Sequence, residues 1–338
     1  MPRSSFIKLL IAGELTRNFV INLSGKASNN IPGGSLLYAA AGARMWNDDI
    51  GLISRAGRNY PQKWIKLAEE RGLDSSGILV SSQTVDARKF YHWRDPDYCI
   101  TDNPVASYAR FGLTFPHELL GYSSQPTVVG EKMWSNISLR LTPTFPQEYM
   151  DITAAHLCPI NLMAQIKLCN LLQRGLVNDI TISPSDDYMN SEFWQQIPVV
   201  IKDISAFFPT ETQITSLFHG HTKDLWEMAE GLADMGCPLI VILRGEKGYW
   251  MYNAPAKKRI VLPFYPVRWS DPTGIGDVFA GAFLGEYKNS YDPVQALISG
   301  NASASLAVEG TGAFYCLDRF PGLEKARSEV LQSMVKII

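Results

Sequence analysis

The 338 residues contain no Gly-x-x-x-x-Gly-Lys-Ser/Thr tract. The one Gly-Lys pair, Gly25-Lys26, lacks both the following hydroxyl residue and the upstream glycine, which excludes a P-loop. No G-x-G-x-x-G follows the first apolar run, so a nicotinamide-binding doubly wound fold is disfavoured. A nucleophile-elbow serine is also missing. Cysteine is scarce: Cys99, Cys158, Cys169, Cys237 and Cys316 are scattered, odd in number and form no C-x-x-C pair. None has a histidine at metal-ligand spacing, and His219 and His221, two apart, read as surface or packing residues. Such cysteine usage suits a reducing cytosol, so a cytoplasmic location is expected. No run approaches the roughly 18 apolar residues of a membrane span, and no membrane partner is expected. The opening run Phe6 to Gly13 is followed by no small-residue cleavage site and reads as a buried strand rather than a signal peptide. Neither sign of charge is in excess, with 31 Lys and Arg against 33 Asp and Glu, and this balance leaves no footprint for nucleic acid.

What is present is apolar and periodic. A hydrophobic fraction of 46% with 19% charged residues fits a globular chain with a large core. Chains of this length are often one large α/β domain, and 1–338 is read as a single domain. Residues 49–57 read as a strand, and 61–71 as a helix stopped by Gly72. From Ala154 the rhythm is regular. Strand-like 155–159 leads to an amphipathic helix at 161–174, with Leu162, Ile166, Cys169 and Leu171 or Leu172 inward. Strands follow at 179–183, 199–204 and 238–243, the last entering a hairpin through Glu246-Lys247-Gly248. Alternation of this kind predicts a mostly parallel sheet covered by helices.

The chemistry concentrates at Asp271-Pro272-Thr273-Gly274-Ile275-Gly276-Asp277, between a strand-like run (260–267) and a helix-like run. Gly274 and Gly276 let consecutive backbone N–H groups turn to one point, and the helix start adds unpaired donors and a positive dipole end. That is an anion site, with phosphate its usual occupant. Asp277 would repel a resting phosphate. Its place suits proton removal from a hydroxyl attacking a phosphoryl group, while the alternative is an acid that merely stabilises a first helical turn.

This segment resembles the D-T-x-G-A-G-D signature of the PfkB-type, ribokinase-like carbohydrate kinases, departing at Pro272 and Ile275. The resemblance implies a three-layer α/β/α sandwich with a mostly parallel central sheet and a small β-sheet lid. It also implies that Asp277 is the catalytic base and that the N–H groups of Gly274, Ile275 and Gly276 form the anion hole for the γ-phosphate of ATP. Lid segments are expected at about 18–27 and 86–111, and exposed aromatics there could serve a homodimer contact.

Further stretches resemble the family in order and depart in detail. After the first strand, Gly13 to Asn18 is similar to G-D-x-x-x-D, with Asn18 where an aspartate binds sugar hydroxyls. Gly33-Gly34, with Ser35 as a candidate helix cap and Tyr38 in place of an asparagine, is similar to the G-G-x-x-x-N-x-A substrate signature. These assign Asn18, Gly33, Gly34 and Tyr38 to the acceptor. Phe208 to Gln213 stands where P-N-x-x-E organises magnesium; Thr210 and Gln213 replace the usual pair, so no residue is assigned directly to the metal. Leu243 to Gly248 resembles the nucleotide-side T-x-G-x-x-G, which puts Arg244 and Gly245 with Thr210 on the nucleotide side. Asn301 lies where the adenine pocket is lined, or is a packed asparagine. The expected cofactors are ATP and magnesium, with a monovalent cation near Asp271 as an addition.

The leading expectation is ATP-dependent phosphorylation of a hydroxyl on a sugar, a polyol or another sugar-like molecule. A nucleoside kinase is an alternative inside the same class. A non-catalytic nucleotide- or sugar-binding protein is the alternative outside it, motivated by the lost acids at positions 18 and 213.

Overall fold

The computed structural model describes residues 8–124, Pro146, Tyr149, 151–175 and 177–338. Phe6 and Ile7, expected at the head of the opening strand, lie outside these residues. Strands β1 (Leu9–Ala12), β4 (Ile50–Ala56), β5 (Leu73–Val80), β8 (Ala154–Leu157), β9 (Asp179–Ile182), β10 (Ala206–Phe207) and β11 (Leu239–Leu243) pair in parallel. Three antiparallel strands, β12 (Tyr249–Asn253), β13 (Lys258–Leu262) and β14 (Lys336–Ile337), extend one edge. The order across this ten-stranded sheet is β14-β13-β12-β11-β10-β9-β8-β1-β4-β5.

Both faces of the sheet are covered, which the sequence of β1 already requires: all four of its residues are buried. Leu10 and Ala12 join one core with helices α4 (Leu162–Gln173), α5 (Ile197–Ile201), α6 (Glu211–Leu217) and α7 (Leu225–Asp234). Leu9 and Ile11 face the opposite core, with α1 (Ser35–Arg44), α2 (Gln62–Glu70) and α8 (Ile275–Ser290). The core beside it packs α8 and α9 (Pro293–Ala307) under β11 to β13, with Leu331 of α10 (Leu323–Gln332) at its margin. The result is a three-layer α/β/α sandwich.

A separate four-stranded sheet, ordered β3-β2-β6-β7, stands beside the sandwich. It comprises β2 (Thr16–Ile21), β3 (Ala27–Gly33), β6 (Arg88–Asp95) and β7 (Tyr98–Ile100). Phe19, Ile21 and Phe90 form its own small core with Tyr108 of α3 (Pro104–Arg110) and Leu119.

The expected strand over 199–204 is instead the short helix α5, followed by β10 from Ala206. The run Ile197-Pro198-Val199-Val200-Ile201 has the composition of a strand, but Ile197, Val200 and Ile201 are the residues that bury, at helical spacing. Pro198 falls in the first turn, where its missing N–H costs nothing. The run expected as a strand to Val267 stops at Leu262, because Pro263 and Pro266 have no N–H to add to a ladder.

One contact sets the geometry of everything that follows. Helices α1 and α8 touch backbone to backbone: a Cβ on Gly42 would lie 2.0 Å from the Val278 carbonyl oxygen, and one on Gly281 only 1.8 Å from that of Ala39. Each helix begins at a glycine corner, so this packing brings the two corners side by side. Among the described residues no helix is long and apolar enough to cross a membrane.

Candidate active site

The first corner is Gly33-Gly34. Gly34, not Ser35, is the N-cap of α1, with φ 100°. A side chain there would strike the Glu14 carbonyl oxygen at 2.1 Å, so the position demands glycine for both conformation and space. Ser35 turns its hydroxyl to accept from the Glu14 N–H at 3.3 Å. Gly33 leaves room for the Asn18 carboxamide, whose Nδ2 would lie 2.1 Å from a Cβ at 33.

The second corner is Gly274, the N-cap of α8, at φ 73°. The ring of Tyr38 lies against its Cα, where a Cβ would come within 2.3 Å of the ring. Among the described residues the N–H groups of Gly274, Gly276 and Asp277 have no hydrogen-bond partner. That of Ile275 donates to the Pro272 carbonyl at 3.3 Å. Of the three N–H groups read from the sequence as an anion hole, two are therefore free and the middle one tightens the turn. The N–H of Asp277 is a third free donor.

Between the corners lies a cavity of about 240 Å³. The cradle residues 274–277 form its floor and Gly34 and Tyr38 one wall. Asn18, Tyr91 and Trp93 of the small sheet form another, and Ser183, Thr210 and Gln213 close the far side. The Asp277 carboxylate faces this space and makes no hydrogen bond or ion pair with a described residue. Burial, then the charge of Glu14, pushes its pKa up to about 7. Asp271 is fully buried; burial raises it to about 6 against the hydrogen bonds of Thr273, whose N–H donates to Oδ1 at 2.9 Å. Its other oxygen, Oδ2, is buried without a partner.

Two further polar atoms in the wall are buried and unpartnered: Asn18 Nδ2 and the Tyr38 hydroxyl. Asn18 Oδ1 is already occupied, accepting from the Thr16 hydroxyl at 2.6 Å. What Asn18 offers a ligand is thus a donor, the reverse of what an aspartate offers. Burial, then the negative charge of Asp271, holds the Tyr38 phenol well above its usual pKa, so it stays protonated and can donate.

The residues expected on the nucleotide side are dispersed. Thr210 and Gln213 form a capping box at the start of α6: the Thr210 hydroxyl accepts from the Gln213 N–H at 3.1 Å, and Gln213 Oε1 accepts from the Thr210 N–H at 2.9 Å. Gln213 Nε2 donates to Asp186 Oδ1 at 2.7 Å, so a carboxylate outside the cavity lining is hydrogen-bonded to the residue that has lost its own. Arg244 is committed elsewhere, pairing with Glu211 at 2.7 Å and lying 4.1 Å over the ring of Trp250. Gly245 lies outside the cavity wall, against Asp97, whose Oδ1 would be 2.7 Å from a Cβ there. Asn301 is fully buried and both ends of its amide are used: Oδ1 accepts from the Tyr265 N–H at 3.1 Å and Nδ2 donates to the Pro263 carbonyl at 2.8 Å. It is a crosslink for the proline-interrupted segment and presents no surface to a base.

Sequence reasoning passed over Tyr91, Trp93 and Glu14 as individuals. A signal for the first two was present, since positions two apart on a strand share a face. Glu14 gave none, because its neighbour Asp277 is far away along the chain.

Residues 160–319 match the pfkB family of carbohydrate kinases. The chain is 27% identical to a cytidine kinase of Thermococcus kodakarensis over 283 residues, 83% of this chain and 88% of that protein. Among solved structures it resembles the nucleoside kinase of Burkholderia thailandensis in complex with ADP and inosine, with TM-score 0.72 and 15% identity, covering 96% of both chains. An E. coli chain assigned as a Ribokinase II, in complex with ATP and Mg2+, aligns at TM-score 0.65 and 18% identity, covering 96% of this chain and 99% of that one.

Proposed function

From the premise that this chain belongs to the pfkB family of carbohydrate kinases and is a phosphotransferase with an alcohol acceptor, we propose that it moves the γ-phosphoryl group of ATP to a hydroxyl of a nucleoside. The observation that carries this reading is one carboxylate, Asp277, with no protein partner, facing a cavity beside three free backbone N–H groups. Asp277 takes the proton of the acceptor hydroxyl as its oxygen bonds to phosphorus. The N–H groups of Gly274, Gly276 and Asp277 stabilise charge on the transferring group, and ADP leaves.

The wall chemistry supports a nucleoside over a simple polyol. Tyr38, Tyr91 and Trp93 present aromatic surface that a flat base covers well. Asn18 Nδ2 and the Tyr38 hydroxyl are left to meet ribose oxygens. The likeness to the cytidine kinase points the same way. The small sheet serves as a lid over the acceptor, excluding water, and the chain works as a single domain.

The residues present fit a magnesium-nucleotide complex. Magnesium is usually held by substrate phosphates, waters and one or two carboxylates, and the exposed Asp186, hydrogen-bonded to Gln213 of the far wall, is a carboxylate that would share in holding it. Bound there, the ion would neutralise phosphate charge. The buried, unpartnered Oδ2 of Asp271 fits a monovalent cation beside the cradle. Equal activity in potassium and in a bulky organic cation would remove that part of the reading.

The test is ADP release against a panel of nucleosides, sugars and polyols, with Asp277→Asn beside the wild type. A nucleoside is expected to give the highest kcat/KM, and the variant is expected to lose roughly 10²–10⁴-fold in kcat. Near-native turnover by Asp277→Asn would overturn the mechanism. A polyol as best acceptor would overturn the substrate class alone.

A further inference from the structure

One hydrogen bond spans the cavity between residues 180 positions apart: the indole Nε1–H of Trp93, on the small sheet, donates to Thr273 Oγ1 at 2.8 Å. Thr273 immediately precedes Gly274. Its own N–H is held by Asp271 Oδ1 at 2.9 Å, and it is 6% exposed. The side chain that Trp93 touches therefore belongs to the residue from which the cradle turns. The Trp93 ring is itself part of the acceptor wall. Other contacts join the same sheet and its turns to the sandwich, among them Leu23 N–H to the Ser270 carbonyl (3.0 Å), Asn22 Nδ2 to Ser270 Oγ (3.3 Å) and Asp97 against Gly245. None of these three touches residues 273–277.

We propose that Trp93 is a positioning residue that sets the entry to the anion cradle through Thr273, so that the cradle is complete only when the small sheet sits over the acceptor. The proposal rests on the reading of residues 274–277 as the phosphoryl site. Its consequence is a choice between two reactions. With the bond in place, the acceptor oxygen bonds to the γ-phosphorus, the bond from that phosphorus to the bridging oxygen of ADP breaks, and Asp277 takes the hydroxyl proton. With the bond absent, the sheet and the cradle move independently. Water then takes the acceptor's place, forming the same bond to phosphorus and giving its proton to Asp277, and the products are ADP and inorganic phosphate.

The experiment measures, in one assay series, phosphorylated acceptor and inorganic phosphate for wild type, Trp93→Phe, Thr273→Val, Thr273→Ser and the double variant Trp93→Phe/Thr273→Val. Loss of one such bond is expected to lower kcat for transfer roughly three- to tenfold, and to raise phosphate release relative to transfer by a similar factor. Thr273→Ser keeps the hydroxyl and is expected to behave as wild type. The double variant is expected to be no worse than the poorer single one, because both remove the same bond. An unchanged ratio of hydrolysis to transfer, multiplicative losses in the double variant, or a Thr273→Ser as impaired as Thr273→Val would each overturn the proposal. If Trp93→Phe does not fold, the Val and Ser variants at 273 carry the ratio test alone. Asp277→Asn separates the underlying reading: it is expected to lose both reactions, and transfer retained there would sink the site rather than the coupling.

Discussion

At the scale of single residues, the functional question is how a carboxylate becomes a base near neutrality. For Asp277, the base of the proposed reaction, burial first and the charge of Glu14 second bring the pKa to about 7. In the proposed reaction the deprotonated form is the active one, so kcat/KM should rise with pH through about 7 and then level. Replacing Glu14 by Gln removes the second cause and leaves the first. The acid limb should then move to lower pH without disappearing, as a pH–rate profile of the two proteins would show. A limb that stays in place would mean that Glu14 does not act on Asp277. Asp277 stood out in the sequence because a glycine-flanked helix start announces an anion site locally, and the resemblance to PfkB-type kinases gave it the role of base. Glu14 could not, since the spatial relation that gives it a role is made only by folding.

At the scale of elements, the site depends on two helices approaching to backbone contact. Gly42 faces the Val278 carbonyl and Gly281 that of Ala39, with no room for a methyl group. Gly281→Ala should force α1 and α8 apart and cost roughly 1–3 kcal/mol, read as a lower denaturant midpoint. Because each helix carries one corner of the cavity, the same variant should, on the proposed function, weaken both acceptor and phosphate recognition. Retained stability and activity would show that the crossing can slide without disturbing the corners. The elements were legible where local rules and burial agree, as in β11 or α4. They were misread at 199–204, where the β-branched run 197–201 is recruited into a helix because its buried residues fall three and four apart. The Thr210–Gln213 pair was read as a weakened magnesium motif, and the structure gives it a local task, capping α6.

At the scale of the whole molecule, burying carboxyls for catalysis opposes stability. Asp277 and Asp271 hold protons in the folded chain up to about pH 7 and about pH 6, whereas unfolded aspartates lose them near 3.9. Between those limits the folded state binds more protons, so these two groups favour folding at low pH. Their contribution is lost as pH rises through 6 and 7. Asp86 and Glu211, whose pKa values are lowered by Arg88 and Arg244, act in the opposite sense at lower pH, though both pairs are partly exposed and weak. Asp277→Asn should therefore melt above the wild type at pH 8, by roughly 1–3 °C, with the difference shrinking toward pH 5. A variant that melts lower at pH 8 would show that the carboxylate is held by favourable contacts instead.

The sequence by itself determined a mostly parallel sheet covered by helices and a glycine-flanked helix start at 274–277, because apolar periodicity and such helix starts act over a few residues and need no distant partner. The resemblance to PfkB-type kinases marked positions 18, 33, 34 and 38 for the acceptor, and 18, 34 and 38 line the cavity. Only the tertiary structure decided what those positions present: a donor at Asn18, an unpaired hydroxyl at Tyr38, an Arg244 spent on Glu211 and an Asn301 closed inside the core. It also decided that Tyr91 and Trp93 complete the wall. Such choices turn on which groups meet across more than a hundred residues of chain and on how much water is left between them, and neither quantity exists before the chain has folded.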